Sequence, residues 1–169
     1  MSDGSKLGSG VSLYDVGKDG WDELTIGAKE QVIRCFRNVN GNDEPFALTG
    51  VDFVGEPKQI VWVDFDNDDD MDLFVSYTFD RVRLYENDGN FVFTEIGLQA
   101  GLLDQAYLEN WGASWGDFDR DGDLDLYSAK LLLEGEDFTE DHSLGNTLYR
   151  NNGDGSFTDV SLETQTKDS

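Results

Sequence analysis

The stretch DFDRDGDLDL, residues 117–126, places five aspartates on alternate positions, Asp117, Asp119, Asp121, Asp123 and Asp125. Like charges this close repel, and water would solvate them at lower cost if they were apart, so a cation is expected between them. Two other stretches repeat the pattern: DFDNDDDMDL, residues 64–73, and more faintly DVGKDGWDEL, residues 15–24. The three begin about 50 residues apart, a period that marks repeated supersecondary units.

The repetition continues past the acidic loops. CFRNVNGNDEPFALT (35–49), LYENDGNFVFTEI (84–96) and LYRNNGDGSFTDV (148–160) each run from an apolar pair through Asn and a Gly-containing turn to Phe. Within the second unit QIVWVDF and DLFVSYT are apolar and β-branched, while RVRLYEN and FVFTEI alternate polar with apolar residues. Asn-Asp-Gly between the alternating runs is a hairpin signal, because Asn and Gly accept positive φ. Each unit therefore reads as four antiparallel strands. Only residues 98–110 offer a helical turn.

Four-stranded units of this period predict an all-β chain of β-propeller-type blades. The units are placed at 11–52, 53–110 and 111–161, between a flexible leader, 1–10, and a C-terminal tail, 162–169. Propellers close with about 4 to 8 blades, and three units fall short. The chain is then a segment of a longer protein, one part of a homo-oligomeric ring, or an open array, the last exposing a sheet edge open to aggregation. The third unit carries a polar insertion, 129–145, on a loop where partners bind.

Composition narrows the partners. The 169 residues hold 36 Asp and Glu against 12 Lys and Arg, a formal net charge of −24. Nucleic acid and anionic membrane surfaces are thereby disfavoured, and a cation is favoured. No apolar run is long enough for a membrane span, and export would rely on a targeting segment outside this sequence. One cysteine, Cys35, excludes a disulfide framework, and its apolar neighbours mark it as a buried small hydrophobe. The one histidine, His142, lies in the polar insertion as a solvated loop residue, and no nucleophile elbow, phosphate loop or zinc constellation accompanies it. An enzyme is not expected.

Counted from its first aspartate, the loop at 117 has carboxylates at positions 1, 3, 5 and 9, Gly122 at 6 for a sharp turn, and a usable backbone carbonyl at 7. Hard oxygen donors in a flexible loop suit Ca²⁺; Mg²⁺ keeps more water, and Zn²⁺ prefers His or Cys. The EF-hand loop also begins D-x-D-x-D-G, yet its bidentate Glu at position 12 is replaced here by Ile26, Val75 and Ser128, with strand-like residues following. In the second loop Asp64, Asp66, Asp68 and Asp72 keep the ligand positions, and Asp69 takes the place of Gly. The first loop retains Asp15, Asp19 and Glu23 but has Gly17 at position 3, so calcium affinity is expected to fall from the third loop to the first.

With both motifs in view, ASWGDFDRDGDLDLYSAK followed by NTLYRNNGDGSFTDVS resembles the FG-GAP/VCBS repeat superfamily, the calcium-binding blades of integrin α-chain propellers and of many secreted bacterial proteins. It is most similar to the ASPIC/UnbV and cartilage acidic protein type. The Phe-Gly and Gly-Ala-Pro hallmarks are mostly missing. The resemblance implies an extracellular β-propeller that acts as a binding or adhesion scaffold, with calcium between the first and second strands of a blade. It also adds Asp70 and Asp123 as ligands through their carbonyls. The ligand is a protein or a glycan, and the alternatives are a lectin or a portion of a larger secreted glycan-active enzyme. Trp21 and Trp111 are the aromatics expected to be exposed for such a contact, whereas Trp62 and Trp115, each two residues before a loop, are expected in the core.

Overall fold

A computed structural model describes residues 10–28, 32–52, 55–78, 80–103, 109–131 and 145–166. His142, most of the insertion and residues 1–9 lie outside these. Among the described residues twelve strands form three four-stranded antiparallel sheets, each a simple meander. The first holds β1 (Val11–Tyr14), β2 (Glu23–Ala28), β3 (Val32–Val39) and β4 (Asn42–Phe46). The second holds β5 (Glu56–Val63), β6 (Asp72–Thr78), β7 (Asp80–Asn87) and β8 (Phe93–Glu95). The third holds β9 (Glu109–Gly116), β10 (Asp125–Leu131), β11 (Thr147–Asn151) and β12 (Phe157–Asp159). Each acidic loop joins the first two strands of its sheet, and a strand, not a helix, follows it.

The sheets stack face to face because no single four-stranded sheet can bury its apolar side chains alone. The second sheet is the middle layer. Strand periodicity sends Ile60, Trp62, Leu73, Val75, Tyr77 and Tyr85 toward the first sheet, where they meet Val16, Ile33 and Cys35. Alternate residues, Val63, Phe74, Val82 and Leu84, face the third sheet and meet Leu126, Tyr149 and Phe157. β6 is consequently buried along its whole length, which is why it reads as a continuous apolar run. Trp62 is core, as its position before the loop predicts, and its Nε1 donates to Thr25 Oγ1 at 3.1 Å across the first joint. Trp115 packs edge-on against Phe74 and Phe157 in the second. Cys35 is buried, as expected.

Two devices lock neighbouring sheets. The first strands lie side by side, β1 by β5 and β5 by β9, and the Gln59 side chain is hydrogen-bonded to both the amide and the carbonyl of Ala113. At the outer edge the chain leaving one sheet pairs with the last strand of the next: Phe93 N donates to Thr49 O at 2.8 Å and Phe157 N to Ala100 O at 2.6 Å. The residue after each acceptor is a glycine with positive φ, Gly50 at 85° and Gly101 at 93°. A Cβ there would stand 2.0 Å from Phe93 O or 2.6 Å from Phe157 O, so both straps require glycine.

Three details differ from the sequence expectation. Gly10, placed with the leader, already belongs to the fold, its carbonyl accepting from Gly27 N at 2.9 Å. Residues 162–166, placed in the tail, are ordered by a one-turn helix, α1 (Ser161–Thr164), closed by Gln165 in the left-handed region. Ser161 anchors it, since its Oγ accepts from Leu148 N at 2.9 Å. The third sheet starts at Glu109, two residues ahead of the boundary at 111.

Candidate metal centre

The three acidic loops share one backbone plan, set by their own carboxylates. At position 1, Asp15 accepts from the amides of Asp19 and Gly20 at 3.0 and 2.8 Å. Asp64 accepts from Asp68 and Asp69 at 3.1 and 3.2 Å, and Asp117 from Asp121 and Gly122 at 3.1 and 3.2 Å. At position 5, Asp19, Asp68 and Asp121 each accept from the amide two residues on, at 3.0, 2.7 and 3.0 Å. These are Asx-type turns, which aspartate favours because its short side chain reaches its own backbone.

Position 6 has positive φ in every loop, 90° at Gly20, 73° at Asp69 and 100° at Gly122. The second loop meets that demand without glycine, at a cost of about 1 kcal/mol. Position 4 is also left-handed, at Lys18, Asn67 and Arg120, and of these residue types only asparagine favours that region.

Position 9 closes each loop onto its sheet. Asp72 accepts from Phe65 N at 3.2 Å and Asn87 N at 2.9 Å, and Asp125 from Phe118 N and Asn151 N, both at 2.9 Å. Both aspartates are buried. In the first loop the longer Glu23 puts Oε2 against Val16 N and Gly17 N, at 2.9 and 3.1 Å. Its Oε1 is buried without a partner.

In the second loop Asp64, Asp66 and Asp72 each offer an oxygen within 4.8 Å of the others, and in the third Asp117, Asp119 and Asp125 do the same. Asp68 and Asp121 stand outside these triads, their carboxylates turned to the position 7 amides. Asp15, Asp19 and Glu23 form no such group, as Gly17 removes the position 3 carboxylate. All the triad donors are hard oxygens, the set that suits calcium. The electrostatics agree with this fit. Burial pushes the Asp72 carboxyl up to about 7 in the metal-free chain against the pull of its two amide donors, and Asp66 and Asp68 push the same way. Burial likewise raises Asp66 and Asp125. A bound cation reverses that trend by favouring the ionised form.

The position 7 side chains point to the neighbouring sheet. Lys18 Nζ, at position 4 of the first loop, lies 3.3 Å from Asp70 Oδ1 in the second. Asn67 Nδ2, the equivalent of Lys18, donates to Asp123 Oδ1 at 2.8 Å in the third. The carboxylates of Asp70 and Asp123 thus tie loop to loop, leaving their carbonyls as the groups available for an ion. Asn151, the last residue of β11, adds a second tie, its Nδ2 donating to Phe65 O at 2.8 Å in the previous loop and to Leu124 O at 3.2 Å in its own. The recurring Asn of CFRN, LYEN and LYRN was the available signal for it.

Trp21 and Trp111 are exposed, as expected. They do not share a site: Trp21 is in the first acidic loop, and Trp111 lies near the start of β9, away from the loop end of that strand, with Lys58 Nζ 5.4 Å from its ring centre.

Stacked four-stranded meanders with a D-x-D-x-D loop between the first two strands define a repeat protein of propeller type. Residues 64–128 match the family model described as FG-GAP-like repeat. The match runs from the first aspartate of the second loop into β10 and spans both acidic triads, so this segment is similar to the FG-GAP-like repeat. No curated protein matches the chain.

Proposed function

We propose that this protein is a calcium-binding, propeller-type module that serves as an extracellular binding scaffold for a protein or glycan, and that it is not an enzyme. The observation that carries the reading is the pair of acidic triads, equivalent in position on two sheets and built only of oxygen donors. Asp117, Asp119 and Asp125 would hold one ion and Asp64, Asp66 and Asp72 another, with the carbonyls of Asp70 and Asp123 as further donors and Asp68 and Asp121 shaping the loops. The ion supplies positive charge between carboxylates that otherwise repel.

Calorimetric titration of the metal-free protein tests this. Two calcium sites are expected, the tighter in the third loop, with magnesium bound more weakly. Calcium at about 100 times the dissociation constant should add about 2.7 kcal/mol to stability per site. Absence of a calcium-specific heat and of a melting shift would refute the metal reading. The exposed rings of Trp21 and Trp111 support a glycan as the ligand. Trp21→Ala and Trp111→Ala should lose retention on a glycan array without losing stability, and unchanged retention would remove both as contacts.

A further inference from the structure

Resting on the metal reading, we propose that Asn151 and Asn67 are positioning residues that couple the two acidic triads, so that calcium in one tightens the binding of calcium in the other. A buried hydrogen-bonded path joins the two closing carboxylates. Asn151 N donates to Asp125 Oδ1 at 2.9 Å, and Asn151 Nδ2 donates to Phe65 O at 2.8 Å. Phe65 N in turn donates to Asp72 Oδ2 at 3.2 Å. Asp125, Phe65 and Asp72 are each 1% exposed and Asn151 is 2% exposed, so water does not compete for these bonds. The Phe65 ring packs on Phe157 of the third sheet, with ring centres 6.0 Å apart, which clamps position 2 of the second loop to that sheet. A shorter path crosses the surface: Asn67, between Asp66 and Asp68, donates from Nδ2 to Asp123 Oδ1 at 2.8 Å.

The joint between the first and second sheets supplies the contrast. Lys18 reaches Asp70 as Asn67 reaches Asp123, but Asn87, the counterpart of Asn151, turns its Nδ2 to Met71 O within its own sheet. The buried path therefore joins the two loops that carry triads and not the loop that lacks one. Carboxylates that repel in the metal-free loop are drawn together when an ion enters. In the third loop this fixes Asp125, and with it Asn151 and the Phe65 carbonyl, before the second loop fills. The next ion then meets a loop whose ordering cost is already met in part, which is positive coupling. Linkage makes the effect reciprocal. Direct electrostatics works the other way, since two divalent ions repel, and physiological salt screens that repulsion over about 8 Å. The sign of the coupling thus separates the two causes.

The test is calorimetric titration of the full chain with calcium in about 0.15 M salt. Asp66→Ala and Asp119→Ala, each leaving one triad whole, supply the single-site affinities. Against these the wild type should show an interaction factor of about five or more in favour of double occupancy, the lower end of ordinary coupling. Asn67→Gly keeps the left-handed backbone, φ 61°, at an exposed position, so its metal-free melting should match the wild type. Asn67→Gly and Asn151→Ala both carry the wild-type charge, and each should still bind two ions with the factor reduced. A purely structural role would lower melting or weaken both sites without touching that factor. Two wild-type sites that fill independently or oppose each other, or a factor unchanged in both asparagine variants, would overturn the coupling and leave the metal reading standing. Absence of any calcium heat would instead refute the metal reading and the coupling with it.

Discussion

Replacing Asn151 by alanine should cost more than replacing Asn87, its counterpart one repeat earlier. Asn87 makes two local side-chain bonds, donating to Met71 O at 3.0 Å and accepting from Gly89 N at 3.2 Å. Asn151 makes the same two, to Leu124 O and from Gly153 N, and adds the bond to Phe65 O in the previous sheet. A net hydrogen bond contributes about 1 kcal/mol, and a buried group left without a partner costs about 1 to 3 kcal/mol. Asn87→Ala should therefore destabilise by about 2 kcal/mol and Asn151→Ala by about 3 to 4 kcal/mol. Urea unfolding of the metal-free proteins measures both. The Phe65 carbonyl belongs to the second acidic loop, so Asn151→Ala should also weaken calcium binding there while Asn87→Ala leaves the third loop untouched. Equal costs for the two substitutions, or a greater cost for Asn87→Ala, would show that the bond between sheets carries no net stability and would refute the reasoning.

Asp69→Gly should raise metal-free stability by up to about 1 kcal/mol, since it relieves a positive φ of 73° and removes one like charge from the loop; thermal unfolding reads it. In the metal-free chain Asp72 titrates near 7 against an ordinary 3.8, so between those values the folded state holds a proton that the unfolded state has released. Stability should then rise as pH falls from about 7 toward 4, and Asp72→Asn should flatten that dependence in melting curves taken after metal removal. Burial pushes the Cys35 thiol from 9.0 up to about 11, so folding favours the protonated thiol. The stability this contributes is present below pH 9 and lost between 9 and 11; Cys35→Ala should abolish that alkaline component, and the folded wild-type thiol should resist alkylation at pH 8.

The strands and the acidic loops were legible because each leaves a local mark. β6 could be read from DLFVSYT, and its burial on both faces follows from the stacking that the repeat implies. Position 6 of the loops was legible for the same reason, glycine in two copies betraying the positive φ that Asp69 shares. What escaped reading has no local mark. The left-handed backbone at Lys18 and Arg120 sits on residues that do not favour it, and the loop holds it by the amide bonds to the position 1 aspartate. The contacts of Lys18 with Asp70 and of Asn67 with Asp123 depend on how the sheets stack, which spacing along the chain does not encode. α1 escaped because four residues are too few to show a helical period.

The aspartates divide into two kinds of work, and the division explains why so many are needed. Those at positions 1 and 5 hold backbone amides, so they fix the shape of each loop before any ion enters. Position 9 staples that shape to the sheet through the amides of positions 2 and of the third strand. Position 7 spends its carboxylate on the neighbouring loop in the second and third copies. Only position 3 has no structural duty of comparable weight, and it is the position the first loop has lost, Gly17 standing where Asp66 and Asp119 stand. The first loop nevertheless keeps its turn, its position 6 glycine and its closing carboxylate. A loop that keeps its shape without the acidic triad is what separate duties allow, and the first loop, which still reaches Asp70 through Lys18, shows that this shape serves the stacking of the sheets by itself.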